Sequence, residues 1–220
     1  MCGRFSLTTP LEELVKHYLI DEFLEDWQPR YNIAPSQNVL SLISHKGKRR
    51  AGEIKWGLVP HWADASKWKP LINARSETLL VKPSFKTLVH SRRMVIFADG
   101  FYEWKKEESG RIPVRFQLKE EKPFVFAGLW DRNGEFTTST ILTTEANSLV
   151  EDVHERMPVM LTNSEDIEKW LNTDEYSFDQ AASVLKPLPR EVMKGYQVST
   201  YVNSPKHDTS ECIVPVSSEG

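Results

Sequence analysis

Cys2 stands directly after the initiator methionine. Methionine is usually trimmed when the next side chain is small, and a chain that then begins at Cys2 carries an α-amine and a thiol on adjacent carbons. Both can add in turn to one aldehyde and close a five-membered thiazolidine. An α-amine with a pKa of about 7.7–8.0 is partly neutral near pH 7, whereas a lysine amine at about 10.4 is almost wholly protonated and a poor nucleophile. Taken alone, Cys2 can equally be whatever followed the start codon, so the reading depends on what the rest of the chain supplies.

Three further stretches hold chemically competent side chains. In Leu71-Ile72-Asn73-Ala74-Arg75-Ser76-Glu77-Thr78, polar residues gather without the period of a surface helix. Asn73 offers an amide donor and acceptor, and Arg75 a planar fork suited to phosphate. The same stretch can be a surface loop in which Arg75 and Glu77 pair. Glu103 lies among Phe101, Tyr102 and Trp104; a partly buried carboxylate there can exchange protons, and one on an open strand faces solvent. His154, in Val153-His154-Glu155-Arg156-Met157-Pro158, can give and take a proton at physiological pH, or be a hydrogen-bonded structural histidine.

The elements that must position these groups are mostly strands. Phe5-Ser6-Leu7 reads as a short strand that fixes the N-terminus inside the fold. Thr9-Pro10-Leu11-Glu12 reads as a helix start, with Thr9 at the N-cap, Pro10 at the first helical position and Glu12 closing a capping box; Leu11, Leu14, Val15, Tyr18 and Leu19 follow as one apolar stripe. Asp21 to Asp26 is acidic and expected to be exposed. Arg30 to Ser36 reads as a loop. Val39–Ile43 and Gly52–Leu58 form a hairpin around a turn at Lys46-Gly47-Lys48-Arg49-Arg50, and Trp56 to Trp62 reads as a rigid pocket wall. Met94–Ala98, Val114–Leu118, Phe124–Trp130, Thr137–Thr143 and Val159–Leu161 continue the sheet pattern, with turns at Lys105–Gly110 and Asp131–Gly134. Short helices are expected after Ser84, from Glu145, after Asn163 or Ser164, and over Phe178–Leu185.

The 220 residues suit one domain: no linker divides them, and 40% hydrophobic with 27% charged residues is ordinary for a packed core. No apolar run nears the roughly 20 residues of a membrane span, and no signal-peptide pattern opens the chain, so an intracellular, cytoplasmic protein is expected. Cys212 is the only other cysteine; a reducing compartment disfavours its pairing with Cys2, and no metal-ligand spacing exists. The net charge of −3 conceals segregation: residues 29–144 hold twenty Lys and Arg against eleven Asp and Glu, while residues 145–180 hold two against ten. The basic middle also carries Trp56, Trp62, Trp68, Trp104 and Trp130, five of the seven tryptophans. Cations interleaved with aromatics suit single-stranded nucleic acid, whose phosphates seek charge and whose unpaired bases seek flat faces. A solvated basic face over a tryptophan-rich core gives the same composition.

Together, Cys2-Gly3-Arg4-Phe5, Arg30-Tyr31-Asn32-Ile33-Ala34-Pro35, Trp56-Gly57-Leu58-Val59-Pro60 with Trp62, Asn73-Ala74-Arg75 with Glu77-Thr78, Gly100-Phe101-Tyr102-Glu103-Trp104, and His154 with Arg156-Met157-Pro158 resemble the SRAP (SOS response-associated peptidase) domain family. The blocks run in order from Cys2 to Pro158. Met94 departs from the pattern, standing where many members carry a cysteine after paired arginines. The resemblance implies an α+β fold, a single domain over 1–220 with a β-rich, barrel-like core to about residue 202, peripheral helices and a loose polar tail over 203–220. It implies a sensor of abasic sites in single-stranded DNA, acting as a monomer without membrane, metal or cofactor. It traps the lesion as a thiazolidine crosslink through Cys2 after loss of Met1, by self-cleavage in some members. On the same basis Asn73 holds the sugar or the nucleophile, Glu103 moves protons and assists crosslink reversal, and His154 protonates the ring oxygen. Arg4, Arg75 and Arg156 are the expected phosphate contacts, Trp62, Trp68 and Trp104 the stacking platforms, and Thr143 and Asn32 minor contacts. Two other activities fit the same residues: a cysteine-type peptidase using Cys2 or Glu103 with His154, and a non-covalent single-stranded DNA-binding module in which Cys2 does nothing.

Overall fold

Short β-branched and aromatic runs broken by Gly, Asn and Pro favour many strands over a few long helices. In a computed structural model of the chain, which describes residues 2–23, 27–108 and 110–216, those runs become β1 (Phe5–Leu7), β2 (Glu22–Phe23), β3 (Arg30–Ile33), β4 (Asn38–His45), β5 (Lys48–Trp56), β6 (Asn73–Arg75), β7 (Arg93–Ala98), β8 (Gly100–Glu107), β9 (Gly110–Leu118), β10 (Phe124–Asn133), β11 (Phe136–Glu145), β12 (Arg156–Pro158), β13 (Met160–Leu161) and β14 (Met193–Gln197). The helices are short: α1 (Leu11–Tyr18), α2 (Leu88–Ser91), α3 (Ser148–Glu151), α4 (Ser164–Leu171) and α5 (Phe178–Ala181). Among the described residues, no helix is long and apolar enough to cross a membrane. The expected α+β class with peripheral helices holds.

One sheet runs β14-β9-β8-β1-β3, and the other runs β12-β11-β10-β7-β4-β5-β2. Strand β11 also pairs with β5 in parallel, at Thr138↔Lys55 and Ser139↔Trp56, so β11, β10, β7, β4 and β5 close into a ring. That short parallel joint makes a closed ring of strands rather than a regular barrel. Phe5 seals it to the other sheet, edge-on to Trp56 and Phe126 at centroid distances of 5.3 and 5.4 Å. Burying an aromatic of this size contributes about 2–3 kcal/mol, which fixes the strand that follows Cys2.

Local chemistry departs from the expected boundaries at several points. Lys46 and Gly47 both take positive φ, 52° and 72°, the pattern of a two-residue hairpin turn whose twist matches the strands. Pairing therefore resumes at His45↔Lys48, and Arg49 and Arg50 belong to β5. Thr9 does not cap α1: Pro10 occupies the N-cap without a side-chain bond. The Thr8 and Thr9 amides, with the Thr8 hydroxyl, donate to Asp99 instead, because a buried carboxylate is a stronger acceptor than a capping box. Arg115 closes on the same Asp99. Of the acidic run from Asp21, residues 24–26 lie outside the described residues.

The stretch expected to be a loose tail is folded through Val216. Single 3-10 turns at Thr200–Asn203 and Ser210–Ile213 lay it against β3, where Asp208 accepts the Tyr31 and Asn32 amides at 2.5 and 3.0 Å and pairs with Arg30. Cys212 is buried there in a small cluster with Tyr102, Val198 and Val202. Cys2 belongs to the main core, and both thiols are free.

Candidate active site and nucleic-acid interface

Strand β1 is held between β3 and β8, Phe5 lying opposite both Ile33 and Phe101, and the Tyr102 amide donates to the Arg4 carbonyl at 2.9 Å. Continuing β1 backwards carries Cys2 beside β8, which bears Glu103, and β6, which bears Asn73. Asn73 Nδ2 donates to the Cys2 carbonyl at 2.8 Å, while its Oδ1 is buried without a hydrogen-bond partner among the described residues. Cys2 is fully buried, and its thiol faces the Arg4 carbonyl at 3.8 Å. Burial, and then the negative charge of Glu103, push its pKa well above the usual thiol range.

Glu103 is 5% exposed and lines a cleft of about 690 Å³ with Trp104, Lys105, Lys106, Arg111, Asp152, Val153, His154 and Glu155. Glu103 thus links Cys2 to the cleft that holds His154. The Arg156 amide donates to His154 Nδ1 at 3.0 Å. An acceptor at Nδ1 leaves Nε2 to carry the proton of the neutral ring.

Arginines converge because β11 bridges β6 and β12, Thr143 lying opposite Arg75 on one side and Glu145 opposite Arg156 on the other. Both arginines line a second cleft of about 370 Å³, yet they differ. Arg75 is exposed and makes no ion pair among the described residues. Arg156 is 8% exposed and grips Glu77 with both terminal nitrogens at 2.8 and 2.9 Å, adding the Thr143 carbonyl at 2.7 Å. Glu77 therefore pairs with Arg156, not Arg75, and those hydrogen bonds hold its carboxyl below the usual range.

Asn32 and Thr143, expected as minor DNA contacts, are fully buried and are engaged within the protein. Asn32 accepts from Arg4 at 2.8 Å and donates to the Val202, Ser204 and His207 carbonyls; Thr143 backs Arg156. Arg4 donates to the Val202 carbonyl at 2.7 Å and lies 5.6 Å from the Trp104 ring centre, and Trp104 Nε1 donates to Asn203 at 2.7 Å. The C-terminal strap thus sets two site residues. Trp62, 51% exposed, meets Trp68 edge-on at 5.1 Å; their loop is pinned to β10 through Asp131 and Asn133, and neither ring lines the two clefts. A groove of about 670 Å³ between Leu118 and Val192 holds none of the expected catalytic residues. The strap's fastening, the pairing of Glu77 with Arg156 and the Asp99–Arg115 pair went unread in the sequence, since the partners are remote in the chain.

The chain is similar to several known proteins. The abasic site processing protein YoqW of Bacillus subtilis (strain 168) is 43% identical over 97% of this chain and 99% of its own length. The abasic site processing protein YedK of Escherichia coli (strain K12) is 31% identical over 98% of this chain and 100% of its own. A crystal structure of a Bacteroides thetaiotaomicron protein superposes with a TM-score of 0.84 at 26% identity, covering 98% of this chain and 100% of that one. With residues 1–205 matching the family model described as SOS response associated peptidase (SRAP), the chain belongs to the SRAP family.

Proposed function

We propose that this protein captures abasic sites in single-stranded DNA as a covalent crosslink through Cys2 once Met1 is removed. The carrying observation is the Asn73 Nδ2 bond to the Cys2 carbonyl at 2.8 Å, with Glu103 on β8, the strand paired to β1. That bond clamps the backbone of the residue whose α-amine would react. The relatives' names, abasic site processing proteins, point to the same substrate.

An opened abasic sugar carries an aldehyde at C1′. Because the thiol stays protonated, the partly neutral α-amine attacks first. Its nitrogen adds to C1′, and loss of one water leaves a Schiff base. Sulfur then adds to the same carbon while the thiol proton passes to nitrogen, closing the thiazolidine. Aminothiol plus aldehyde give ring plus one water, with no change in oxidation state. Glu103 carries the proton between sulfur and nitrogen, His154 Nε2–H donates to the sugar ring oxygen to open it, and Asn73 Oδ1 accepts a hydrogen bond from the amine. The finished ring occupies the aldehyde and so prevents strand-breaking β-elimination. Arg75 and Arg4 meet flanking phosphates, Trp104, Trp62 and Trp68 offer stacking faces, and Arg156 orients His154.

Mixing purified protein with abasic, intact and duplex oligonucleotides tests the reading. Capture gives a heat-stable shifted band only with abasic single strands. Binding without that band favours the non-covalent module, and cleavage of unrelated peptides favours the peptidase.

A further inference from the structure

The hairpin of β8 and β9 is where the cleft departs from ordinary sheet chemistry. Its register places Lys106 directly opposite Arg111 and Trp104 opposite Pro113. Successive side chains alternate between faces, so Trp104, Lys106 and Arg111 share one face. Both cations are exposed, and neither makes an ion pair among the described residues. The neighbouring Lys105 is different, being paired with Glu107 at 3.4 Å. Like charges placed opposite on adjacent strands repel, with Cβ atoms only about 5 Å apart. An unrelieved pair of this kind makes the free protein less stable and is relieved by an anion seated between the two. All three residues line the cleft that Glu103, one position before Trp104, enters from the other face of β8 and that also holds His154.

We propose that Lys106 and Arg111 form a phosphate clamp on single-stranded DNA, holding a nucleotide next to the lesion while its base lies against Trp104. The proposal rests on the abasic-capture reading and adds a second anchor to it. Arg75 lines a different cleft from the hairpin cations, and Glu155 lines both. The strand is therefore held on two sides of the reacting sugar. Asp152 and Glu155 line the wall facing the hairpin, and their charge repels the backbone from that wall and towards Lys106 and Arg111. One backbone phosphate accepts from both cations, and its single negative charge sits between two positive ones.

The test compares Lys106→Gln, Arg111→Gln and Lys106→Arg with the unaltered protein. Lys186→Gln, which makes the same charge change in the groove remote from the site, is the control. Affinity for a fluorescein-labelled oligothymidylate is read by anisotropy across a salt series, and the melting temperature of each free protein is measured. Either glutamine variant should bind several-fold more weakly, with the salt slope falling by a part of the roughly 0.7 that one phosphate contact contributes, since the remaining cation still meets the phosphate. Its melting temperature should hold or rise by about 1 °C as the repulsion is lifted. Lys106→Arg should keep affinity, and Lys186→Gln should keep both affinity and slope. Glutamine variants that match the unaltered protein in affinity and slope overturn the clamp alone, as does an equal loss in Lys186→Gln. Failure of the unaltered protein to bind any single strand overturns the underlying reading instead.

Discussion

Asn73 reaches across 71 positions of chain to donate a 2.8 Å hydrogen bond to the carbonyl of Cys2. A bond to the backbone of the reacting residue fixes where its nucleophile points, and displacement of about 1 Å can cost about a hundredfold in rate. Asn73→Ala should therefore slow crosslinking ten- to a hundredfold while single-stranded DNA affinity changes less than about twofold. Single-turnover crosslinking beside anisotropy checks this; equal losses in both would make Asn73 a binding residue only.

Arg75 and Arg156 should separate in their effects. Arg75 is exposed and unpaired among the described residues, so Arg75→Ala should weaken DNA binding, lower the salt slope by about 0.7 and change stability by no more than about 0.5 kcal/mol. Arg156 is buried against Glu77 and the Thr143 carbonyl, so Arg156→Ala should cost about 1–2 kcal/mol of stability, the exposed Glu77 being able to rehydrate. Salt titrations and denaturant melts distinguish them.

Glu77 gives a pH signature. Its carboxyl is held below the ordinary value of 4.5, first by the hydrogen bonds from Arg156. A depressed carboxylate stabilises the fold fully above its unfolded value and loses that contribution as pH falls through its folded one. Glu77→Gln should flatten the acid limb of stability against pH below about 4.5 and leave the neutral limb nearly parallel. Glu77 is half exposed, and screening keeps the effect below about 1 kcal/mol. Urea melts from pH 3 to 7 would reveal an unaltered acid limb if the pairing is inert.

The strands and the groups on them were legible because pattern and turn chemistry are local: Phe5–Leu7, Met94–Ala98 and the glycine-marked hairpins could be read from neighbours. What could not be read depends on partners far away in the chain. Asn32 has the composition of a contact residue, yet its amide is spent on carbonyls at Val202, Ser204 and His207. Glu77 sits two residues from Arg75, and sequence proximity favoured that pairing over the Arg156 fork 79 positions away. Thr9 carries a capping-box pattern, but the buried Asp99 outcompetes it. The polar strap has no apolar period, since Asp208 and backbone carbonyls fasten it rather than a hydrophobic face.

That strap yields a fourth expectation. Asp208 accepts two backbone amides and pairs with Arg30, so Asp208→Ala should cost about 2–3 kcal/mol and loosen Arg4 and Trp104 through Asn32 and Asn203. Hydrogen exchange should then rise at Tyr31, Asn32 and residues 200–213 ahead of β7 and β10, and DNA affinity should drop. Unchanged exchange at residues 200–213 would mean that the strap is held by other contacts.

The most direct measurement is the intact mass of the protein after incubation with an abasic single-stranded oligonucleotide, without reductant, for the unaltered chain and Cys2→Ser. The unaltered chain should lose Met1 and gain the oligonucleotide less one water, in an adduct that survives heating. Cys2→Ser should give such an adduct only when a reductant traps the Schiff base. A reacting protein that retains Met1, or a full yield of heat-stable adduct from Cys2→Ser without reductant, would contradict capture by the N-terminal aminothiol.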